Sequence, residues 1–210
     1  MKVSVSILSI KKENNLKELV KKIESNNPDF IHIDVMDGEF VEDTSFTYNE
    51  TKDILDDYNY DVHLMVKDPI KYINDYVNIN PKYITFHIEI GNTLEYIDYI
   101  KNKNIKVGIA INPNTDLNML YPYLDKVDLV LLMGVEPGRG GQEFIMNTVN
   151  KIDKLYSYRK LNNLNYLISV DGGVSDKTIS LLQKCDIVVS GSYVTNNEYN
   201  EAINTLRGET

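Results

Sequence analysis

The chain has one cysteine, Cys185, in 210 residues. No internal disulfide is possible, and a reducing, cytoplasmic setting is expected. No apolar run approaches the ~18–20 residues of a membrane span. The opening stretch MKVSVSILSI is too short for a signal peptide and leads straight into a charged segment. Positive charge is scarce: 22 Lys and Arg stand against 31 Asp and Glu, a net −9. That balance argues against nucleic acid or an anionic membrane as the main partner. It does not exclude a small anion, because backbone amides and helix N-termini hold phosphate whatever the global charge. No linker, low-complexity segment or charge block divides the chain, so a single domain over 1–210 with a substantial core is expected.

What the chain does have is a repeated alternation. Strand-like runs occur at 3–8, 30–35, 60–66, 83–88, 106–111, 127–133, 167–171 and 187–191. Between them lie segments of helical spacing, among them 15–26, 92–103, Glu143 to Leu161, and Ser175 to Lys184 with Ser175 as N-cap. Strands alternating with helices predict an α/β fold with a parallel sheet. Eight such units in roughly 200–250 residues fit a (β/α)8 TIM barrel. An open doubly wound sheet is the rival, but the GxGxxG turn of a dinucleotide fold is missing after the first strand.

In a barrel of this kind the active site lies where the strands end, and there the polar residues become informative. The first strand carries Ser6; the second, His32 and Asp34; the third, His63; the fourth, His87; the seventh ends in Asp171. His32 and Asp34 are two apart and so share a face. Taken alone, His87 reads as a hydrogen-bonded core residue. Together, His32, Asp34, His63 and Asp171 form a mixed N/O set suited to one divalent transition metal (Zn2+, Fe2+, Mn2+ or Co2+), whose charge makes burial of the two carboxylates tolerable. The turns Gly138-Arg139-Gly140-Gly141, Gly172-Gly173 and Gly191-Ser192 follow strands six, seven and eight. Phosphate binds at such loops in many barrel enzymes, because glycine lets main-chain N–H groups come close. Met36, Met65 and Met133, near strand ends, are expected to form an apolar wall.

The stretches SILS (6–9), HIDVMDGEFV (32–41), DVHLMVKDP (61–69), ITFHIE (84–89), KVGIAINP (106–113), LLMGVEPGRGGQEFI (131–145), VDGGV (170–174) and SGS (190–192) carry a resemblance. From Ser4 to about Val194 the chain resembles the ribulose-phosphate 3-epimerases. The resemblance implies that His32, Asp34, His63 and Asp171 are metal ligands, and that Asp34 and Asp171 are also the acid/base pair. It further implies that Ser6 and His63 contact the sugar, and that Gly138, Arg139, Gly140, Gly141, Gly172, Gly173, Gly191 and Ser192 hold the phosphate end. The implied substrate is a small sugar phosphate, with ribulose 5-phosphate and xylulose 5-phosphate the leading pair in the pentose phosphate pathway. A hexulose-phosphate (allulose 6-phosphate) 3-epimerase and a phosphosugar-binding protein without turnover are the alternatives, and a homo-oligomer is left open. Decarboxylases and aldolases on the same fold are disfavoured, since no lysine sits on the ligand-bearing strand ends.

The chain departs from the family pattern in its loops. Val5 replaces a proline, Glu39, Glu42 and Asp43 replace a histidine, a proline and an asparagine, and Arg139 replaces an aromatic. Arg139 is expected either to reach a phosphate or to pair with Glu39 or Glu42, with the exposed pair slightly favoured.

Overall fold

A computed structural model describes residues 1–55 and 57–209. Eight parallel strands form a closed barrel in sequence order: β1 (Lys2–Ser6), β2 (Phe30–Met36), β3 (Tyr60–Met65), β4 (Tyr83–His87), β5 (Lys106–Ile111), β6 (Leu129–Met133), β7 (Leu167–Asp171) and β8 (Ile187–Ser190), with β1 paired to both β2 and β8. The (β/α)8 expectation holds, with strand ends within two residues of those read from the apolar runs.

The crossovers are less uniform. Helices α1 (Leu16–Glu24), α2 (Tyr48–Ile54), α3 (Pro69–Tyr76), α4 (Thr93–Lys101) and α5 (Asn147–Leu161) follow β1 to β4 and β6, and α6 (Ser192–Thr195) and α7 (Tyr199–Arg207) follow β8. Local chemistry sets several of these starts. Thr47 and Glu50 form a reciprocal capping box at α2, and Asp68 caps α3 ahead of Pro69. The helix expected over Ser175 to Lys184 is absent. Thr178 accepts from the Ser175 backbone N–H and donates to Gly173 O, and a single 3-10 turn, Ile179–Leu181, takes the helix's place. The turn still buries Leu182 and Cys185 against the barrel. The β5–β6 crossover is likewise two 3-10 turns, Leu117–Met119 and Tyr121–Tyr123, with Pro122 in the second.

Outward strand residues such as Val3, Val5, Ile31, Ile33, Val62 and Leu64 pack against the helices to make the main core. Each fully buried aliphatic side chain there contributes about 1.5–3 kcal/mol. Inside the barrel, alternate strands supply one apolar layer, Phe30, Tyr83, Leu129 and Ile187, from β2, β4, β6 and β8. This is the layered filling of a packed barrel. A second apolar group, Ala110, Leu131, Met133 and Val189, leans on β5, β6 and β8. The interior opposite, on β1 to β4, is polar.

Gly108 shows how tight the interior is. A Cβ there would lie 2.0 Å from Thr85 Oγ1 and 2.8 Å from Thr85 Cβ, across a directly paired position. Gly108→Ala is therefore expected to destabilise by about 1–3 kcal/mol, read as a lower urea midpoint at unchanged slope. An unchanged midpoint would mean that β4 and β5 can separate at no cost.

Candidate active site

Strand register assembles the site. Asp34 pairs with His63, Ser6 with His32, and Met133 with Asp171. All four expected ligands are brought together: one donor atom from each of His32, Asp34, His63 and Asp171 lies within 4.8 Å of the others. His32 Nε2 is 3.3 Å from Asp34 Oδ1 and 3.8 Å from Asp171 Oδ2. His63 Nδ1 is 3.2 Å and 3.6 Å from the same two oxygens. Four donors ~2.1 Å from one ion at tetrahedral angles stand about 3.4 Å apart. The spacing fits, and the donor set is one that divalent transition ions accept. His32 Nε2 is moreover buried with no hydrogen-bond partner, so it is free to become a ligand once an ion displaces its proton.

Neighbours outside this set orient it. Asp61 accepts from His32 Nδ1 (2.8 Å) and from Ser4 Oγ (2.7 Å), which turns His32 Nε2 toward the cluster. Ser6 Oγ donates to Asp34 Oδ2 at 2.6 Å. His63 Nε2 meets His87 Nε2 at 2.8 Å, and His87 Nδ1 meets Glu89 Oε2 at 3.2 Å. His87 is thus a hydrogen-bonded buried histidine, as expected, but its partner is a member of the cluster. Ser4, Asp61 and Glu89 were not singled out in the sequence. Each lies two residues from one that was (Ser6, His63 and His87), so the same period-2 rule marks the first two as sharing an inward face.

Burial disfavours charge throughout. At His32 it is outweighed by Asp61 and then Asp34, and the pKa rises well above that of free histidine. Burial also raises Asp171, helped by the Asp34 charge. At Asp34 burial is overcome by His32 and His63, which hold the carboxyl well below the usual range. With no ion between them, the two neighbouring carboxyls are thus pushed in opposite directions. Burial lowers His63 and takes His87 down to about 4, so His87 is neutral. Glu89, which burial would raise, is brought to about 2 by hydrogen bonds, chiefly from His87.

Above the cluster opens a cleft lined by Ser6, Asp34, Met65, Met133 and Asp171 on one side. Gly138, Arg139, Gly140, Gly141, Gly172, Gly173, Gly191 and Ser192 line the other. Met36 is buried but does not line it. His32 and His63 lie beneath, almost fully buried. Gly173 has a left-handed φ of +69°, and a Cβ there would sit 2.8 Å from the Phe144 backbone; this glycine serves loop packing whatever else it does. Gly140 and Gly141 have nothing within 4 Å of a Cβ, so they are open to a ligand. Arg139 reaches Glu42 (3.1 Å) and Asp43 (3.4 Å), while Glu39 turns instead to Lys67.

A profile described as the Ribulose-phosphate 3 epimerase family matches residues 2–195. The chain belongs to that family. It is 38% identical over 200 residues to a ribulose-phosphate 3-epimerase of Helicobacter pylori, covering 92% of this chain and 90% of the relative. It is 35% identical over 215 residues to the enzyme of that name in Bacillus subtilis, with 99% of each covered. Among solved structures, the 3-keto-L-gulonate-6-phosphate decarboxylase of Vibrio cholerae superposes with a TM-score of 0.68 at 12% identity, covering 100% of this chain and 95% of that one. That likeness is one of fold. Among the described residues no helix is long and apolar enough to cross a membrane.

Proposed function

We propose that this chain interconverts ribulose 5-phosphate and xylulose 5-phosphate by inverting C3, with a divalent metal ion held by His32, Asp34, His63 and Asp171. The observation that carries this reading is the convergence of those four donors under a cleft in a chain of this family. Bound there, a divalent ion supplies the Lewis acidity that stabilises negative charge on the sugar's oxygens.

The chain's own residues do the rest. Inverting a carbon beside a ketone requires its proton to leave from one face and another to arrive on the opposite face. Asp34 on β2 and Asp171 on β7 are separated around the barrel by β8 and β1, and we assign one to each face. One carboxylate takes the C3 proton, the C–H electron pair moves into an enediolate, and the other carboxyl returns a proton from its own side. The roles exchange in the reverse reaction. Ser6, bonded to Asp34, orients that carboxylate and contacts the sugar. Met65 and Met133 keep water from the reacting end, and the open Gly140 and Gly141 with Gly191 and Ser192 receive the phosphate. The buried, unpaired Cys185 is in keeping with a cytoplasmic setting. Turnover measured side by side on ribulose 5-phosphate and allulose 6-phosphate tests the assignment. A higher kcat/KM for the hexulose phosphate would move the substrate, and no turnover of either would remove the enzyme reading.

Arg139 gives a sharper test at the rim. Its side chain is 66% exposed and its partners Glu42 and Asp43 are 90% and 54% exposed. Exposed pairs contribute about 0–1 kcal/mol, whereas a charge-assisted bond to a phosphate is worth about 1.5–3 kcal/mol. Arg139→Phe is therefore expected to change KM by only a few-fold. A rise of about tenfold or more, equal to about 1.4 kcal/mol, would place the guanidinium on the phosphate.

A further inference from the structure

The pair of buried His87 and half-buried Glu89 lies outside the four donors, yet His87 contacts one of them in a way that leaves little freedom. Glu89 is an ionised carboxylate and can only accept. Its Oε1 accepts the Asn112 backbone N–H at 2.8 Å, and its Oε2 faces His87 Nδ1 at 3.2 Å. His87 Nδ1 must therefore carry a proton. A neutral imidazole with a proton on Nδ1 has a lone pair on Nε2, and that lone pair meets His63 Nε2 at 2.8 Å. The two rings are within 26° of coplanar with centroids 5.0 Å apart, so they meet end to end. His63 must then donate from Nε2, which leaves its Nδ1 bare. That bare Nδ1 faces carboxylate oxygens of Asp34 and Asp171 at 3.2 and 3.6 Å, a lone-pair contact that a cation between them relieves.

We infer that His87 and Glu89 are positioning residues that select Nδ1 of His63 as the nitrogen offered to the metal ion. Resting on the metal reading above, this inference adds a direction to the site. Asp61 selects the opposite nitrogen, Nε2, at His32. The two histidines present different nitrogens because their anchoring carboxylates lie on different sides: Asp61 one layer below the cluster, and Glu89 just past the end of β4. Phe40, from the loop after β2, lies on the His87 ring with centroids 4.7 Å apart and covers the relay. The relay also makes His63 a stronger donor, since each hydrogen bond passes some of the Glu89 charge toward the ring.

The test uses the full chain with Zn2+ alone. Affinity is measured by competition with a chromophoric chelator, and histidine tautomers by long-range proton–nitrogen NMR. The expected result is zinc-bound His63 protonated on Nε2, zinc-bound His32 protonated on Nδ1, and a loss of zinc affinity of about 10–100-fold in His87→Phe. His87→Gln, whose amide oxygen reaches the place of the ring Nε2 and can accept from His63, is expected to restore affinity to within a few-fold. A merely structural role would weaken both variants alike. Should His87→Phe fail to fold, Glu89→Gln carries the test, with a several-fold loss and a mixed His87 tautomer expected. Wild-type zinc affinity in either His87→Phe or Glu89→Gln, or His63 bound through Nε2, would overturn the inference and leave the metal reading intact. Failure of the wild-type protein to bind zinc would overturn both.

Discussion

Asp34→Asn and Asp171→Asn are each expected to lower kcat by about 10²–10⁴-fold, the usual worth of a positioned acid or base. An asparagine neither takes nor returns a proton, so inversion stops at whichever face has lost its carboxyl. KM should remain measurable, because the phosphate end of the cleft is untouched. Both residues are also proposed ligands, so metal content has to be measured on the same samples. The structure orders the two. Asp34 approaches both histidines at 3.2–3.3 Å and accepts from Ser6, whereas Asp171 stands at 3.6–3.8 Å. Asp34→Asn should lose the larger share of metal. Near-wild-type turnover in either variant with metal bound would remove that residue from the acid/base pair.

Stripping the ion with a strong chelator is expected to abolish turnover, and a divalent ion added back should restore it. Stability should move with activity. Without a cation, two carboxylates and two imidazole nitrogens face one point in a nearly dry interior, where unbalanced charge is costly. A metal at a hundred times its Kd adds about 2.7 kcal/mol to folding, which for a chain of this size is a rise in Tm of roughly 5–10 °C. Full activity in protein verified as metal-free would refute the metal requirement.

The barrel was legible because its strands are buried on both faces and read as near-continuous apolar runs such as IVV at 187–189 and LVLLM at 129–133. The cluster of four proposed ligands was legible because strand periodicity places His32 with Asp34, and topology then brings His63 and Asp171 alongside. What escaped depended on partners distant in sequence. Asp61 looks like an ordinary strand-start residue until Ser4 and His32 are seen on it. Ser175 looks like a helix N-cap and does accept from the Lys177 N–H, yet Thr178 ties the segment back to Ser175 and Gly173 and only a 3-10 turn follows. By spacing alone the glycines form one group with one purpose. In the structure they divide, with Gly172 and Gly173 occupied by Val135 and Phe144 and Gly140 and Gly141 facing open space. Which glycine is needed by the chain itself is a matter of tertiary distances that spacing does not encode.

The pairing of β1 with β8 has a consequence for how the molecule is made. The ribosome delivers Lys2–Ser6 long before Ile187–Ser190, so one side of β1 stays unsatisfied until β8 has emerged. An unpaired parallel edge rich in valine is a template for other nascent chains. Three of the four proposed metal donors, His32, Asp34 and His63, emerge within a single β2–β3 unit, while Asp171 comes from β7. Those three would be in place to hold an ion before β7 supplies Asp171 and β8 closes the ring. Release from the ribosome, ring closure and metal retention would thus coincide. A translation arrest placed before Ile187 should yield chains that aggregate and exchange metal freely, whereas one placed well after Ser190 should not.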